Sequence, residues 1–109
     1  MISYQPGDVV FLLLPFGDAV GSKRRPALVL LDTGDDEIVV ARITSQLPHS
    51  AYDVVLQNWQ AAGLRVPSVV RVHKLATMEK RLVERYLGTL SQDDWTEVHT
   101  AIRQLWKLL

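Results

Sequence analysis

The sequence predicts an α+β fold that is mainly β, a small barrel of short strands with a C-terminal helix. Short apolar runs punctuated by Gly, Pro or Asp fill the first two-thirds of the chain, and its last stretch switches to helical spacing. With 109 residues, 48% of them hydrophobic, one domain spanning residues 1–109 can build its core without disulfide staples.

Pro6-Gly7-Asp8 reads as a turn, and Val9 to Leu14, stopped by Pro15, as a strand buried on both faces. Ala27 to Leu31 has the same character. Asp32-Thr33-Gly34-Asp35-Asp36 then turns the chain into Ile38 to Thr44, which makes residues 27–44 an antiparallel hairpin. Tyr52 to Leu56 and Ser68 to Val72 are two further strands, and Gln57 to Gly63 between them suits a helical turn ended by its glycine. Strands this short, with this much turn punctuation, predict a small barrel. Residues 78–90 fit a helix through Leu82, Val83, Tyr86 and Leu87 or a strand running through Gly88, and a short helical turn followed by a strand is the favoured reading. Ser91-Gln92-Asp93-Asp94 resembles a capping box, and Trp95, Val98, Ile102, Leu105, Trp106 and Leu109 follow on one helical stripe. No internal repeat, low-complexity segment or linker interrupts the pattern.

The 12 Lys and Arg balance the 12 Asp and Glu, so net charge does not advertise a nucleic-acid binder or a membrane-surface protein. Any polyanion site must be local. Residues 1–58 hold four bases against seven acids, and residues 59–109 hold eight against five. The absence of cysteine excludes disulfides, thiolate metal sites and a cysteine nucleophile, and fits a reducing compartment. The first six residues lack a basic leader, and Val9 to Leu14 is too short to span a bilayer, so a soluble, unprocessed cytoplasmic protein is expected.

The strongest chemical feature is Lys23-Arg24-Arg25-Pro26, placed after the glycine-containing stretch Gly17 to Ser22 and directly before the run Ala27 to Leu31. Arginine presents a planar, permanently charged fork suited to phosphate oxygens, and Pro26 fixes the backbone where the chain enters the next element. Phosphate contact with RNA or DNA is the functional reading. A solvated loop opening a strand is the structural one.

Four segments in order, Pro6-Gly7-Asp8-Val9-Val10, Gly21 to Leu30, Ile43-Thr44-Ser45-Gln46 and Pro67-Ser68-Val69-Val70-Arg71, resemble the PemK/MazF-like toxins of bacterial toxin–antitoxin systems. Ala62-Gly63-Leu64 before the fourth segment and Leu87-Gly88 before the last helix extend the resemblance over nearly the whole chain. The resemblance implies an SH3-like small barrel with a C-terminal helix. It also implies a homodimer that cleaves single-stranded RNA without metal or other cofactor, and a cognate antitoxin that silences it. By the same resemblance, the arginine before the second strand's proline and the threonine ending the following strand form the catalytic pair, here Arg25 and Thr44. A hairpin from Ala27 to Thr44 brings those outer ends side by side.

The implied reaction is attack of a ribose 2'-hydroxyl on the adjacent phosphate, which leaves a cyclic phosphate and releases a 5'-hydroxyl. It requires donors aimed at the charge growing on the phosphate oxygens, each worth about 3 kcal/mol of barrier. Arginine's pKa above about 12 suits Arg25 to charge stabilisation ahead of proton transfer. His49 and His73 are the titratable alternatives for the proton.

Lys23, Arg24, Arg42, Arg71 and Lys74 are candidate phosphate contacts on RNA, Ser45 offers a second hydroxyl beside Thr44, and Trp59 or Phe16 can stack on an unpaired base. Trp59 equally suits core packing, while Trp95 and Trp106 are assigned to core or dimer burial. The MazF branch often carries an acid between the loop's glycine-serine pair and the arginine. Here that interval holds only Lys23 and Arg24, which is closer to the PemK-like branch, and Asp18 upstream is the nearest carboxylate available to orient Arg25.

The rival readings are a protein-binding toxin of the same fold, of the gyrase-poison kind, and a nucleic-acid-binding barrel without catalysis. Gyrase-poisoning relatives end in Trp-Gly-Ile, whereas this chain ends Trp106-Lys107-Leu108-Leu109 and keeps the arginine-proline and threonine motifs, which favours the nuclease. The antitoxin is expected to lay an acidic segment across the same groove, folding as it binds and competing with RNA.

Overall fold

In the computed structural model, which describes residues 2–15 and 22–109, the chain opens with β1 (Asp8–Pro15), β2 (Ser22–Leu31) and β3 (Glu37–Thr44). It continues through β4 (Asp53–Val55), β5 (Val69–Glu79), a single 3-10 turn (Lys80–Leu82), β6 (Val83–Thr89) and α1 (Gln92–Trp106). Each of the five apolar runs contains a strand, and the region around residues 80–89 is the helical turn and strand expected of it. Between β2 and β3 the turn is made by its acids. Asp32 accepts the Gly34 N–H at 2.8 Å, Asp35 accepts the Glu37 N–H at 3.0 Å, and Gly34 supplies a φ of +94°.

Two strand boundaries differ from the sequence reading. β2 starts at Ser22, so Lys23, Arg24, Arg25 and Pro26 are strand residues paired with β1 rather than a loop. Pro26 has no N–H to donate, and the ladder from β2 to β3 ends one residue before reaching it, at Ala27↔Arg42. Residues 57–63 hold the expected turn, with the Ala62 N–H bonded to Trp59 O and the Gly63 N–H to Gln60 O, and Gly63 ends it at a φ of +85°. β5 continues past Val72 to Glu79 by bulging. Its pairing with β3 jumps from Arg42↔Arg71 to Ala41↔Leu75, which leaves Val72, His73 and Lys74 without a partner on β3.

All strand pairs are antiparallel, in the order β4-β5-β3-β2-β1-β6. The sheet ends on β4 and β6 and does not close between them, so "barrel" describes it only loosely. Alternation builds a core on each face. One cluster holds Val9, Leu28, Ala41, Ile43, Val70 and Val72, covered by Val98 and Ala101 of α1 and by Leu56, Ala62 and Leu64. The other holds Val10, Leu12, Leu14, Ala27, Val29, Ile38 and Val40, closed by Met78 with Tyr4, Leu82 and Val83.

The Ser91 hydroxyl caps α1 by accepting the Asp94 N–H at 3.2 Å. Asp94 does not reach back to Ser91 as a capping box requires. Its buried carboxylate accepts the N–H groups of Gln57 and Asn58 at 2.9 and 2.8 Å, which ties the 57–63 turns to the helix start. Along the predicted stripe, Trp95, Ile102 and Leu105 pack on the core, but Trp106 is 67% exposed and Leu109 is exposed as well. Trp59 packs against the core, as its neighbours suggest.

Candidate active site

The hairpin register brings the sequence-predicted pair together. Ala27 stands opposite Arg42, and two residues beyond that last pair the same register sets Arg25 across from Thr44. Both line one cavity of about 540 Å3, with Ser45 beside them. Its apolar wall is Phe11, Pro26, Ile43, Leu64 and Leu87, and its remaining charged lining is Arg65, Glu84 and Arg85. Three arginines to one carboxylate give its lining an excess of positive charge in a chain of zero net charge.

Arg25 is half-buried and its Nε is shielded from water. Thr44 is 8% exposed, and its Oγ1 accepts the Gln46 N–H at 3.2 Å, so the hydroxyl hydrogen is left for another acceptor. A guanidinium fork and a hydroxyl donor lining one cavity are groups that can stabilise a phosphate gaining charge. Lys23 is exposed on β2. Arg24 reaches across β1 to β6, where its Nε donates to both carboxylate oxygens of Glu84 at 2.7 Å.

Arg71 and Lys74 do not line this cavity. Arg42, Arg71 and Asp53 form the adjoining cross-strand row on β3, β5 and β4. Partners across a ladder share a face, as do residues two apart along a strand, so this row lies on the face of Arg25 and Thr44, roughly 7 Å further along. Arg71 pairs with Asp53 at 3.3 Å, with 12% and 1% of their side chains exposed. Burial works against ionising Asp53, but the His49 N–H at 3.0 Å and the Arg71 charge outweigh it and lower its pKa. Lys74 is exposed in the β5 bulge.

Neither His49 nor His73 lines the cavity. His73 sits in the bulge, its ring 5.9 Å from that of Tyr52, and its buried Nδ1 has no hydrogen-bond partner among the described residues. Burial, then the positive charges of Arg71, Lys74 and His49, lower its pKa against the opposing pull of Asp53. Phe16 and Asp18 lie outside the described residues. Sequence reasoning missed Arg65, Glu84 and Arg85. No local motif marks them, because they reach the cavity through the β1–β6 pairing and the segment after Gly63.

The fold and site define a small antiparallel-sheet protein with a C-terminal helix, in which an arginine-proline step on the second strand and a threonine ending the third share one arginine-rich cavity. Residues 5–106 match the model of the PemK-like, MazF-like toxins of type II toxin–antitoxin systems, and the chain belongs to that family. A comparison with curated proteins gives no match. Among solved structures the chain is similar to an endoribonuclease from a mycobacterial species in complex with its cognate antitoxin, at 16% identity, a TM-score of 0.78 and coverage of 98% of each chain. It is also similar to MazF from Deinococcus radiodurans, at 23% identity and a TM-score of 0.76 over 98% of this chain and 99% of that one. A third is the Mycobacterium tuberculosis toxin MazF-mt6, at 22% identity and a TM-score of 0.71 over 90% and 96%. At these identities the likeness is one of fold.

Proposed function

We propose that this toxin is a metal-independent endoribonuclease that cuts single-stranded RNA, mRNA included, by 2'-hydroxyl attack on the adjacent phosphate. The observation that carries the reading is the convergence of Arg25 and Thr44, from two strands, on one cavity rich in arginine. Arg25 holds and neutralises the scissile phosphate, and the Thr44 hydroxyl donates to the oxygen on which charge grows. Ser45, at the cavity wall, adds a second hydroxyl. Arg42 and Arg71 carry the strand onward, since their row lies about one nucleotide further along the same face. Lys23 attracts the backbone from its exposed place on β2, and Lys74 does so from the bulge.

The mycobacterial endoribonuclease is solved with its cognate antitoxin and the Deinococcus MazF with MazE, and this chain takes a cognate antitoxin by that likeness. A cavity lined by three arginines suits an acidic segment that competes with RNA. Leu31, Leu75 and Trp106 are large apolar side chains left exposed, and they give a homodimer surface to bury. The protein works in the cytoplasm, and none of its described helices is long and apolar enough to cross a membrane.

The test is cleavage of a long unstructured RNA in the presence of EDTA. Wild-type protein is expected to cut it, leaving cyclic-phosphate and 5'-hydroxyl ends, while Arg25→Ala and Thr44→Ala fold normally and abolish cutting. Full activity in both variants would remove the assignment.

A further inference from the structure

Glu84 is out of keeping with a cavity that receives a polyanion. It is the single carboxylate among the described residues lining that cavity, and beside phosphates a fixed negative charge weakens binding. Its place in the sheet shows what it can meet instead. β2 and β6 flank β1, with Phe11 paired to Pro26 on one side and to Arg85 on the other. Glu84 therefore lies two strand spacings from Arg25, about 10 Å, and three from Thr44, about 14 Å. A proton-transfer partner must come within about 3 Å of its hydroxyl. A glutamate side chain does not span the distance to a phosphate clasped between Arg25 and Thr44. It does reach the nucleotide beside it.

Arg24 sets the carboxylate for that purpose. Its Nε donates to both oxygens at 2.7 Å, which orients the group and leaves the remaining lone pairs of each oxygen available. The Glu84 side chain is 40% exposed, so those lone pairs are accessible to a ligand in the cavity. An acceptor-only group of this kind complements a base edge that presents N–H donors: the amino group of cytosine or adenine, or the adjacent N1–H and N2–H of guanine. Uracil offers one N–H between two carbonyls, and the carboxylate repels both. In single-stranded RNA these edges are unpaired and readable.

The geometry points to Glu84 as the residue that selects the base beside the cut, favouring an amino-bearing base, guanine above all, and rejecting uracil. The assignment rests on the endoribonuclease reading. It is tested by giving wild-type protein, E84Q and E84A a single-stranded RNA pool of randomised sequence, sequencing the cut ends, and measuring retention on the uncut pool across a salt series. Gln is isosteric with Glu at this exposed position, so folding is not at stake. The wild type is expected to enrich guanine or another amino-bearing base beside the cut, and both variants to lose that preference by about tenfold. Binding to the pool should meanwhile tighten, because a repelling charge has gone, while the lost base preference is the change that neither charge removal alone nor a merely structural role produces. An unchanged cut-site profile in both variants overturns the assignment, as does a wild-type profile with uracil at the selected place. Failure of the wild type to cut any RNA overturns the nuclease reading and this assignment with it.

Discussion

Arg25 differs from the two cations before it in what the sheet does with its side chain. Lys23 and Arg24 are exposed, whereas Arg25 is half-buried with its Nε shielded, so on the proposed reading a phosphate would meet it where charge interactions are less screened. The guanidinium's planar fork grips two phosphate oxygens at once, and an ammonium is a point charge. Arg25→Lys is therefore expected to lower RNA cleavage about 100- to 1000-fold while retaining the fold, measured as the single-turnover rate at saturating protein. A wild-type rate in Arg25→Lys would show that charge alone suffices. Lys23→Ala is expected to leave chemistry intact and to reduce the slope of log affinity against log salt by about 0.7, the increment for one phosphate contact on a single strand. An unchanged slope would show that Lys23 touches no phosphate. At this scale the juxtaposition of Arg25 and Thr44, a pair singled out by the resemblance, was legible because a hairpin with a short turn links them locally. Glu84, Arg65 and Arg85 were not legible. β1 and β6 lie more than 70 residues apart in sequence at Phe11↔Arg85, and no short-range pattern encodes such a pairing.

The elements around the cavity are held at one close backbone crossing. Gly63, in the turns before β5, has φ +85°, and a Cβ there would lie 2.0 Å from Leu87 O. A Cβ at Gly88 on β6 would lie 2.7 Å from the Ala62 carbonyl. The two glycines let the 62–63 backbone rest directly on β6, and Gly63, Leu64 and Leu87 then form cavity wall. Gly34 makes a useful contrast, with φ +94° but nothing within 4 Å of an added Cβ. Gly34→Ala should cost only the conformational strain, about 1–3 kcal/mol. Gly63→Ala should cost more in urea unfolding and reduce RNA cleavage as well, since Leu87 or the 62–64 segment must move. Equal costs for the two variants, with cleavage intact in Gly63→Ala, would mean that the crossing is not tight in solution. Gly63 was legible as the end of a turn. Its partnership with Gly88 was not, and neither was the role of Asp94. The spacing Ser91 to Asp94 matches a capping box, but the tertiary demand of the Gln57 and Asn58 N–H groups prevails over the local one.

Across the whole molecule, one buried carboxylate joins three segments that are distant in sequence. Asp32 accepts the Tyr4 N–H at 2.8 Å, the Gly34 N–H at 2.8 Å and the Lys80 ammonium at 3.0 Å, and the Lys80 N–H closes the circuit on Asp36 O at 2.8 Å. The chain's start, the β2–β3 turn and the β5–β6 connection therefore meet at a single charge. From sequence Asp32 was readable only as a turn residue, because the contacts to Tyr4 and Lys80 depend on the order in which the strands assemble. The backbone donors Tyr4 and Gly34, and then Lys80, outweigh burial and bring the Asp32 pKa from 3.8 down to about 2. A carboxylate with a depressed native pKa favours the folded state wherever the unfolded chain is also ionised. Its contribution is thus complete above 3.8 and is lost as the pH falls toward about 2, where both states take up the proton. Thermal unfolding followed from neutral pH to pH 2 should show Tm falling most steeply in that window. Asp32→Asn should lower Tm at neutral pH and flatten the acid limb, leaving the shallower slope that Asp53, also depressed, contributes. If Asp32→Asn kept the wild-type slope between 3.8 and about 2, the acid sensitivity would belong to other carboxylates and the three-segment junction would not be what holds the chain's start to the sheet.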